Sequence, residues 1–560
     1  MTDAVLSQVI PSSLLDMARR QLMVGLMVEV RRQAAGEPCD TARLPTATVR
    51  FWAGAALESA RCDCIQSTAC EHLALAVWAF RFADLEHPGR DVAQIRLGRL
   101  GDRLELDQTS YLALVEALLH SGVSQGTASL SQPLSMAKDA ARMTGAIWLS
   151  HLLDELDDWR MAYANRSALY QMTRGVDLVA ELALRTRAGG LPGQARQVLG
   201  MGQPAETELD RVRLVCLGAR TLRDGDGRQT RLVMADLDTG TRLVLVKEWR
   251  VAGDQLAREA AIRSAERLAP GVWLERLAQG QLLARQAKRL ADGTLKLAKA
   301  RTSQNSVLPQ AADWGSLGVP LRFSSVGQLV AHQRENPVYQ CLPRHAAGQF
   351  VIFTPQQVEQ VFYDPNDQAL VVLMTGDDPV GEDEEWPLVC VRRVHESHVG
   401  HALDAVAGAF TGQFGLVRQV AGLLNWHQGL PVIEPWAMAC DNVIVPDFSP
   451  ACGALAQVAL GHAPIGAGDP IVQGLRQLKE VMASLLHYGI RSLPQGWARD
   501  GSSTLQELRL LGLNELAQRL EVLTAKILAA QARPASEILS PGLMEMLAIM
   551  QLHEQAHALQ

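Results

Sequence analysis

The sequence predicts an α+β multidomain protein: an N-terminal strand–turn–helix finger, a helical region, a β-rich middle and a helical C-terminus. Three observations carry this reading. Apolar residues recur every three or four positions from about 100 to 200, and again from about 465 to the end. Between about 206 and 455 the period shortens to two, punctuated by Asp-Gly and Thr-Gly turn signals. At 61–72 the stretch "RCDCIQSTACEH" gathers three of the nine cysteines and a histidine. A chain of 560 residues exceeds what one core supports, and the expected domains are 1–95, 100–200, 206–345, 346–455 and 465–560.

Taken in order, "SLLDMARRQLMVGLMVEVRRQ" predicts an N-terminal helix. "TATVRFWAG" alternates Val49, Phe51 and Ala53 against Arg50 and Trp52, as a half-buried strand does. The cysteine cluster follows, and "LALAVWAFRF" behind it is long enough for a helix. Leu112, Val115, Leu118 and Leu119 form a helical stripe with Gly122 as its stop. A second stripe carries Leu149, Leu152, Leu156 and Trp159, opposite Asp154, Glu155, Asp157 and Asp158. "RAGGLPGQ" marks a break. The segment from "RVRLVCLG" to "LVLVKEW" reads as three strands, and "RQAKRLADGTLKLAKAR" as a hairpin turning at Asp292-Gly293. "FVIFTP", "VEQVFYDPNDQALVVLMTGD" and "WPLVCVRRV" are further strands, with one helix at "HALDAVAGAF". Leu513, Leu516, Leu520, Leu523 and Ile527 mark a C-terminal helical seam, and Ser540-Pro541 opens the last helix. No internal repeat is visible by eye.

The cluster spells C-x-C-x5-C-x-H: Cys62, Cys64, Cys70 and His72. In extended chain, Cys62 and Cys64 point to the same side. Cys70 and His72 stand where a turn enters a helix, whose partial positive charge favours thiolates. Three thiolates and an imidazole make a closed tetrahedral set, the donor pattern of one structural Zn²⁺ with no position left for water. A catalytic metal would keep that position open. The six other cysteines are isolated, and with no secretory start and no long apolar run the expected location is a reducing cytoplasm.

This motif resembles the SWIM zinc finger, over about residues 45–85, with Cys62, Cys64, Cys70 and His72 as the implied ligands. "AKDAARMTGAIWLSHLLDEL", "RQAKRLADGTLKLAKART" and "PQGWARDGSSTLQELRLLGL" are similar to segments of large bacterial SWIM proteins. That resemblance implies a working partnership with a MoxR-type AAA ATPase or a von Willebrand A-domain protein.

Other chemistry is weighed against plain structural roles. "HEQAH" at 553–557 matches H-E-x-x-H, but only three residues follow it, so no downstream third ligand exists. In "HESHVGH", His395 and His401 lie six residues apart, roughly 240° around a helix, so three ligands cannot converge. No G-x-x-x-x-G-K-[ST], no G-x-G-x-x-G after a strand and no G-x-S-x-G elbow occurs, so an enzyme is not expected. The 285–301 hairpin carries Arg285, Lys288, Arg289, Lys296, Lys299 and Arg301 against Asp292 alone. It reads as a solvated strand face rather than a phosphate site, because no aromatic residue lies between Trp273 and Trp314. "GDDPVGEDEEW" is an exposed acidic loop.

Charge ranks the functions. The chain carries −7 overall, and between Arg43 and Arg90 five basic residues meet five acidic ones. A module that grips a duplex presents a basic surface. The expectation is therefore a zinc-binding adaptor that docks a protein, with DNA binding through the finger as the alternative and no membrane role.

Overall fold

A computed structural model describes residues 2–33, 39–98, 106–125, 128–167, 170–191, 194–203, 205–253, 258–300, 304–335, 339–379, 387–427, 430–462, 469–532 and 538–557. Several of the stretches singled out above lie partly outside these: residues 192–193 of the Gly/Pro-rich break, 301 of the basic hairpin, and 380–386 of the acidic loop and the start of the strand that follows it. The chain forms two compact units. One joins 1–99, 204–335 and 345–464; the other joins 100–203, 336–344 and 465–560.

The first unit begins with helices α1 (Asp3–Val9) and α2 (Ser12–Val24). The single long N-terminal helix expected from the sequence is corrected here. Gly25, at φ 84°, ends α2, and the chain continues as strand β1 (Leu26–Arg31). A glycine adopts that left-handed backbone without steric cost. Beyond it "LMVEVR" alternates and is rich in β-branched residues, so Val28 and Val30 turn inward and are buried. β1 is an interior strand of a five-stranded antiparallel sheet with β2 (Asp40–Arg43), β3 (Thr48–Phe51), β4 (Arg61–Cys62) and β5 (Val92–Leu97), in the order β4-β3-β2-β1-β5. Helix α3 (Glu71–Glu86) packs against β1 and β5. Residues 72–79 of α3 are all buried, which is why that stretch reads as apolar on every side.

Behind this finger stand two β-barrels of the same topology. In the first, the long strand β6 (Glu206–Asp224) pairs through its C-terminal half with β7 (Gly227–Ala235), which pairs with β8 (Arg242–Arg250). Two short helices follow, Glu259–Ala265 and Leu274–Ala278. Strand Gly280–Leu290 then returns to pair with the N-terminal half of β6, and Leu295–Leu297 pairs with that strand. The ring closes in parallel, Thr294 bridging Val244. Numbered within the barrel, the strand order is 1-2-3-5-4-1, with helix between strands 3 and 4.

The second barrel repeats this. Its first strand is broken into Phe350–Phe353 and Gln357–Asp364 around Thr354-Pro355. The first piece pairs with Gln419–His427 and the second with Ala369–Thr375. Leu388–Val394 pairs in parallel with Leu430–Ala439, and helix Ala402–Phe410 lies between the third and fourth strands. No sequence repeat announces this repetition, because a barrel topology constrains inward-facing volume rather than particular residues.

Buried charges cross between the barrels. Asp447 accepts hydrogen bonds from the Thr221 backbone amide at 2.7 Å and from Arg393 at 2.5 Å. Arg220 donates to Glu434 at 2.7 Å and also reaches Glu396. Burial and these arginines act in opposite directions on Asp447, and Arg393 and Arg220 prevail, holding its carboxyl below the usual range.

The second unit has a single core. Helices α4 (Thr109–Ser121), α5 (Ala128–Met143), α6 (Ile147–Ala164) and α7 (Met172–Gly189) pack in succession. Helices Pro470–Tyr488 and Ser540–His557 pack on α7, and Leu513, Leu516, Leu520, Leu523 and Ile527 are all buried within the same core. Ser540 opens the last helix but does not cap it with its own hydroxyl. Glu116 accepts from the amides of Leu539 and Ser540 at 2.9 and 2.7 Å, supplying the carboxylate that a helix N-terminus favours.

Candidate metal centre

Cys62, Cys64, Cys70 and His72 converge: one ligand atom from each lies within 4.8 Å of all the others, and all four residues are buried. The local chain explains how. β4 brings Cys62 in from the sheet edge. A tight turn follows, in which the Cys62 amide donates to the Ser67 carbonyl at 2.7 Å and the Ser67 amide to the Cys64 carbonyl at 3.0 Å. Cys70 is the residue before α3, in extended conformation, and His72 lies in the helix's first turn. The predicted strand, cysteine-bearing turn and helix are all present at these positions.

The donor set fits a tetrahedral ion. Zinc–sulfur bonds of about 2.3 Å place neighbouring ligand atoms roughly 3.8 Å apart, within the observed spread. His72 supplies a second sign: its Nδ1 is buried with no hydrogen-bond partner, and a metal bond would satisfy that atom. The Cys64 amide approaches the Cys62 sulfur at 3.5 Å, the kind of outer contact that orients a ligand. Among the four groups themselves, burial pushes the Cys62 thiol well up. Hydrogen bonds from Cys62 and Cys70 hold Cys64 far below the thiol range.

The cluster is fastened to the first barrel, which sequence reasoning did not foresee. Cys64 bridges Leu209 of β6. The Ile65 amide donates to the Glu208 carbonyl at 3.0 Å, and the Asp210 amide to the Asp63 carbonyl at 3.2 Å. Asp63 accepts from the Thr48 amide at 2.7 Å. Arg289 of the barrel reaches Thr48 Oγ1 at 3.2 Å and lies 3.9 Å from Asp63. Arg289 is 6% exposed, so the expectation of a wholly solvated basic hairpin is corrected at this residue. Its guanidinium meets the finger at Asp63, a largely covered carboxylate that needs a cation nearby. Lys288, by contrast, meets Glu206 at 2.5 Å near the surface, and Lys296 and Lys299 are exposed.

The remaining candidates stay dispersed. Glu554 of "HEQAH" meets Lys479 at 3.5 Å, while His557 lies near Asp469. His398 Nε2 sits 2.8 Å from the Thr221 carbonyl, and His401 precedes helix Ala402–Phe410. Among the described residues, the Cys₃His cluster is the one group placed to hold a metal ion. No helix among them is long and apolar enough to cross a membrane.

Fold and site together define a multidomain protein: a helical bundle, two Greek-key barrels and a Cys₃His centre that can hold a metal. Comparison with known proteins agrees with this outline. Residues 105–200 match the YehQ four-helical bundle domain, and residues 347–465 match the YehQ C-terminal OB-fold domain. Protein YehQ of Escherichia coli (strain K12) is 26% identical over 505 residues, which span 84% of this chain and 78% of that protein. The chain is similar to YehQ over most of its length. The matched OB-fold domain is the second barrel. The first barrel has the same strand order, and neither matched domain covers it or the cysteine cluster.

Two solved structures share 10% identity with the chain. One, described as "Molecular basis for abrogation of activation of pro-inflammatory cytokines", covers 42% of this chain and 91% of its own at a TM-score of 0.17. The other, a replication protein A heterotrimer bound to ssDNA, covers 44% and 51% at a TM-score of 0.21. Both likenesses are too weak to bear on fold or function.

Proposed function

We propose that the chain is a zinc-binding, non-enzymatic scaffold that docks a protein partner, with one structural Zn²⁺ held by Cys62, Cys64, Cys70 and His72. The observation that carries this reading is the closed donor set whose loop is hydrogen-bonded into the first barrel. Four protein ligands leave no site for water, so the ion stiffens a surface rather than performing hydrolysis. The SWIM-type reading of the finger rests on the C-x-C-x5-C-x-H spacing. The partner is an ATPase of the MoxR type or its von Willebrand A-domain companion, in the cytoplasm. The absence of a phosphate-binding loop in the sequence supports this, since nucleotide-driven work would fall to the partner.

Metal analysis of the purified full chain is the direct test, with one zinc per chain expected and its loss in Cys70→Ser. Co-purification of an AAA ATPase with the wild type but not with Cys70→Ser supports the scaffold role. Metal-free protein with an unchanged melting curve refutes the zinc reading. A fully loaded chain that captures no ATPase refutes the partnership.

A further inference from the structure

A cavity of about 500 Å³ lies within the first unit, where the finger meets the first barrel. Its size suits one small molecule. Four arginines reach its wall, Arg31 and Arg50 from the finger and Arg211 and Arg213 from β6. Two carboxylates, Asp236 and Asp238, enter from the turn between β7 and β8.

These six charges are not equally free. Asp236 is spent within the fold, accepting from Arg50 and from the amides of Asp238 and Thr239 at 2.9 and 3.2 Å. Arg31 is buried and donates to the Val319 carbonyl. Arg211 and Arg213 differ, because both are exposed. Arg213 gives its Nε to Gln281 at 3.0 Å, and Arg211 holds its Nε 3.5 Å from Asp210. Among the described residues, no acceptor engages the terminal nitrogens of either one. Asp238 is exposed as well, and its carboxylate forms no ion pair with the described residues.

The backbone holds the two free arginines side by side. Positions 211, 213 and 215 of β6 all line the cavity, as alternate residues of one strand do. Arg211 adopts φ 54°, a left-handed conformation that costs a non-glycine residue energy and recurs at ligand clamps. The finger fixes the chain just before it, since the Asp210 amide donates to the Asp63 carbonyl at 3.2 Å.

We infer that this cavity binds a small phosphate monoester that also carries a hydroxyl group. The three terminal oxygens of a phosphate can accept from both guanidinium forks at once, whereas a carboxylate fills only one. Asp238 repels a bare anion but accepts from a hydroxyl, so it favours the ester over free phosphate. Val215, Leu237 and Leu317 give the carbon skeleton an apolar wall.

The test is isothermal titration calorimetry on the full-length chain as purified, with glycerol 3-phosphate, glucose 6-phosphate, glucose and inorganic phosphate. At least one ester is expected to bind with a Kd at or below about 1 mM, glucose not at all, and inorganic phosphate more weakly than that ester. In Arg211→Gln/Arg213→Gln the ester should lose about tenfold in affinity. In Asp238→Ala inorganic phosphate should gain up to about fivefold, while the ester gains less, so the preference between them narrows. An unchanged melting temperature shows that the arginine variant is folded; where it shifts, Asp238→Ala, on an exposed turn, decides through the narrowed preference alone. Four results overturn the inference: neither ester binding at about 5 mM, glucose binding as well as its phosphate, inorganic phosphate binding as tightly as the esters, or both variants behaving as wild type. The zinc and ATPase measurements above are independent of this outcome.

Discussion

Removing the metal should free the cysteine loop from the barrel as well as from itself, and the size of that effect follows from the contacts. Two backbone hydrogen bonds tie loop to barrel, Ile65 to Glu208 and Asp210 to Asp63. Each contributes about 1 kcal/mol net, so their release corresponds to about 2 kcal/mol of local opening. At 1.4 kcal/mol per factor of ten, that is a rise of roughly 30-fold in amide exchange at Ile65 and Asp210. The measurement is native-state hydrogen exchange on zinc-loaded protein and on protein treated with a strong chelator, resolved at these two amides. Amides in the second barrel, such as Val391 on Leu388–Val394, should keep their rates and serve as the internal control. Equal exchange at Ile65 and Asp210 with and without metal would show that the loop is held by the barrel alone. The centre would then have no part in joining the two.

Three further outcomes concern stability. Asp447→Asn leaves Arg220 and Arg393 buried without their shared carboxylate and should cost about 3–5 kcal/mol, read as a lower denaturant midpoint. Burial holds His345 down to about 3, below the ordinary value near 6.5. The unfolded chain therefore binds a proton that the folded chain refuses, and stability falls as pH drops from about 6.5 towards 3. Denaturant midpoints at pH 7 and pH 5 should differ by less in His345→Gln than in the wild type. Gly122 ends α4 at φ 61°, and a Cβ there would meet the Gly489 amide nitrogen at 2.4 Å. Gly122→Ala should cost about 2–4 kcal/mol and lower the melting temperature of the helical unit, whereas Gly54→Ala, at φ 69° with nothing within 4 Å, should cost only the backbone strain.

What was legible in the sequence was whatever a short-range pattern encodes. The cysteine loop and its helix were readable because ligand spacing and the turn into a helix are local. Leu516, Leu520 and Leu523 showed their burial through a 3.6-residue period, and Gly122 marked the end of its helix because only the local backbone decides a C-cap. The N-terminal helix was overextended for the same reason in reverse. "LMVEVR" looks like a continuation of the apolar stripe, and only its two sheet neighbours, β2 and β5, make it an interior strand.

The rest depended on contacts far apart in the chain. Arg289 reads as one charge among six on a hairpin, yet it is buried because Asp63, 226 positions earlier, lies beneath it. Sign and count of charge cannot reveal which one is paired. The two barrels share topology without a visible repeat because their equivalence lies in pairing order. In one the long first strand runs unbroken from Glu206 to Asp224, while in the other Thr354-Pro355 divides it. Proline removes a ladder donor, so the second barrel's first strand changes partner at that point, and that of the first barrel does so with a register shift between Cys216 and Gly218 instead. Each device lets one strand serve two neighbours that face different ways, the bend a closed barrel demands. The finger's loop joins β6 on the N-terminal side of that shift, at Leu209. The metal centre therefore reports on the half-strand that pairs with Gly280–Leu290.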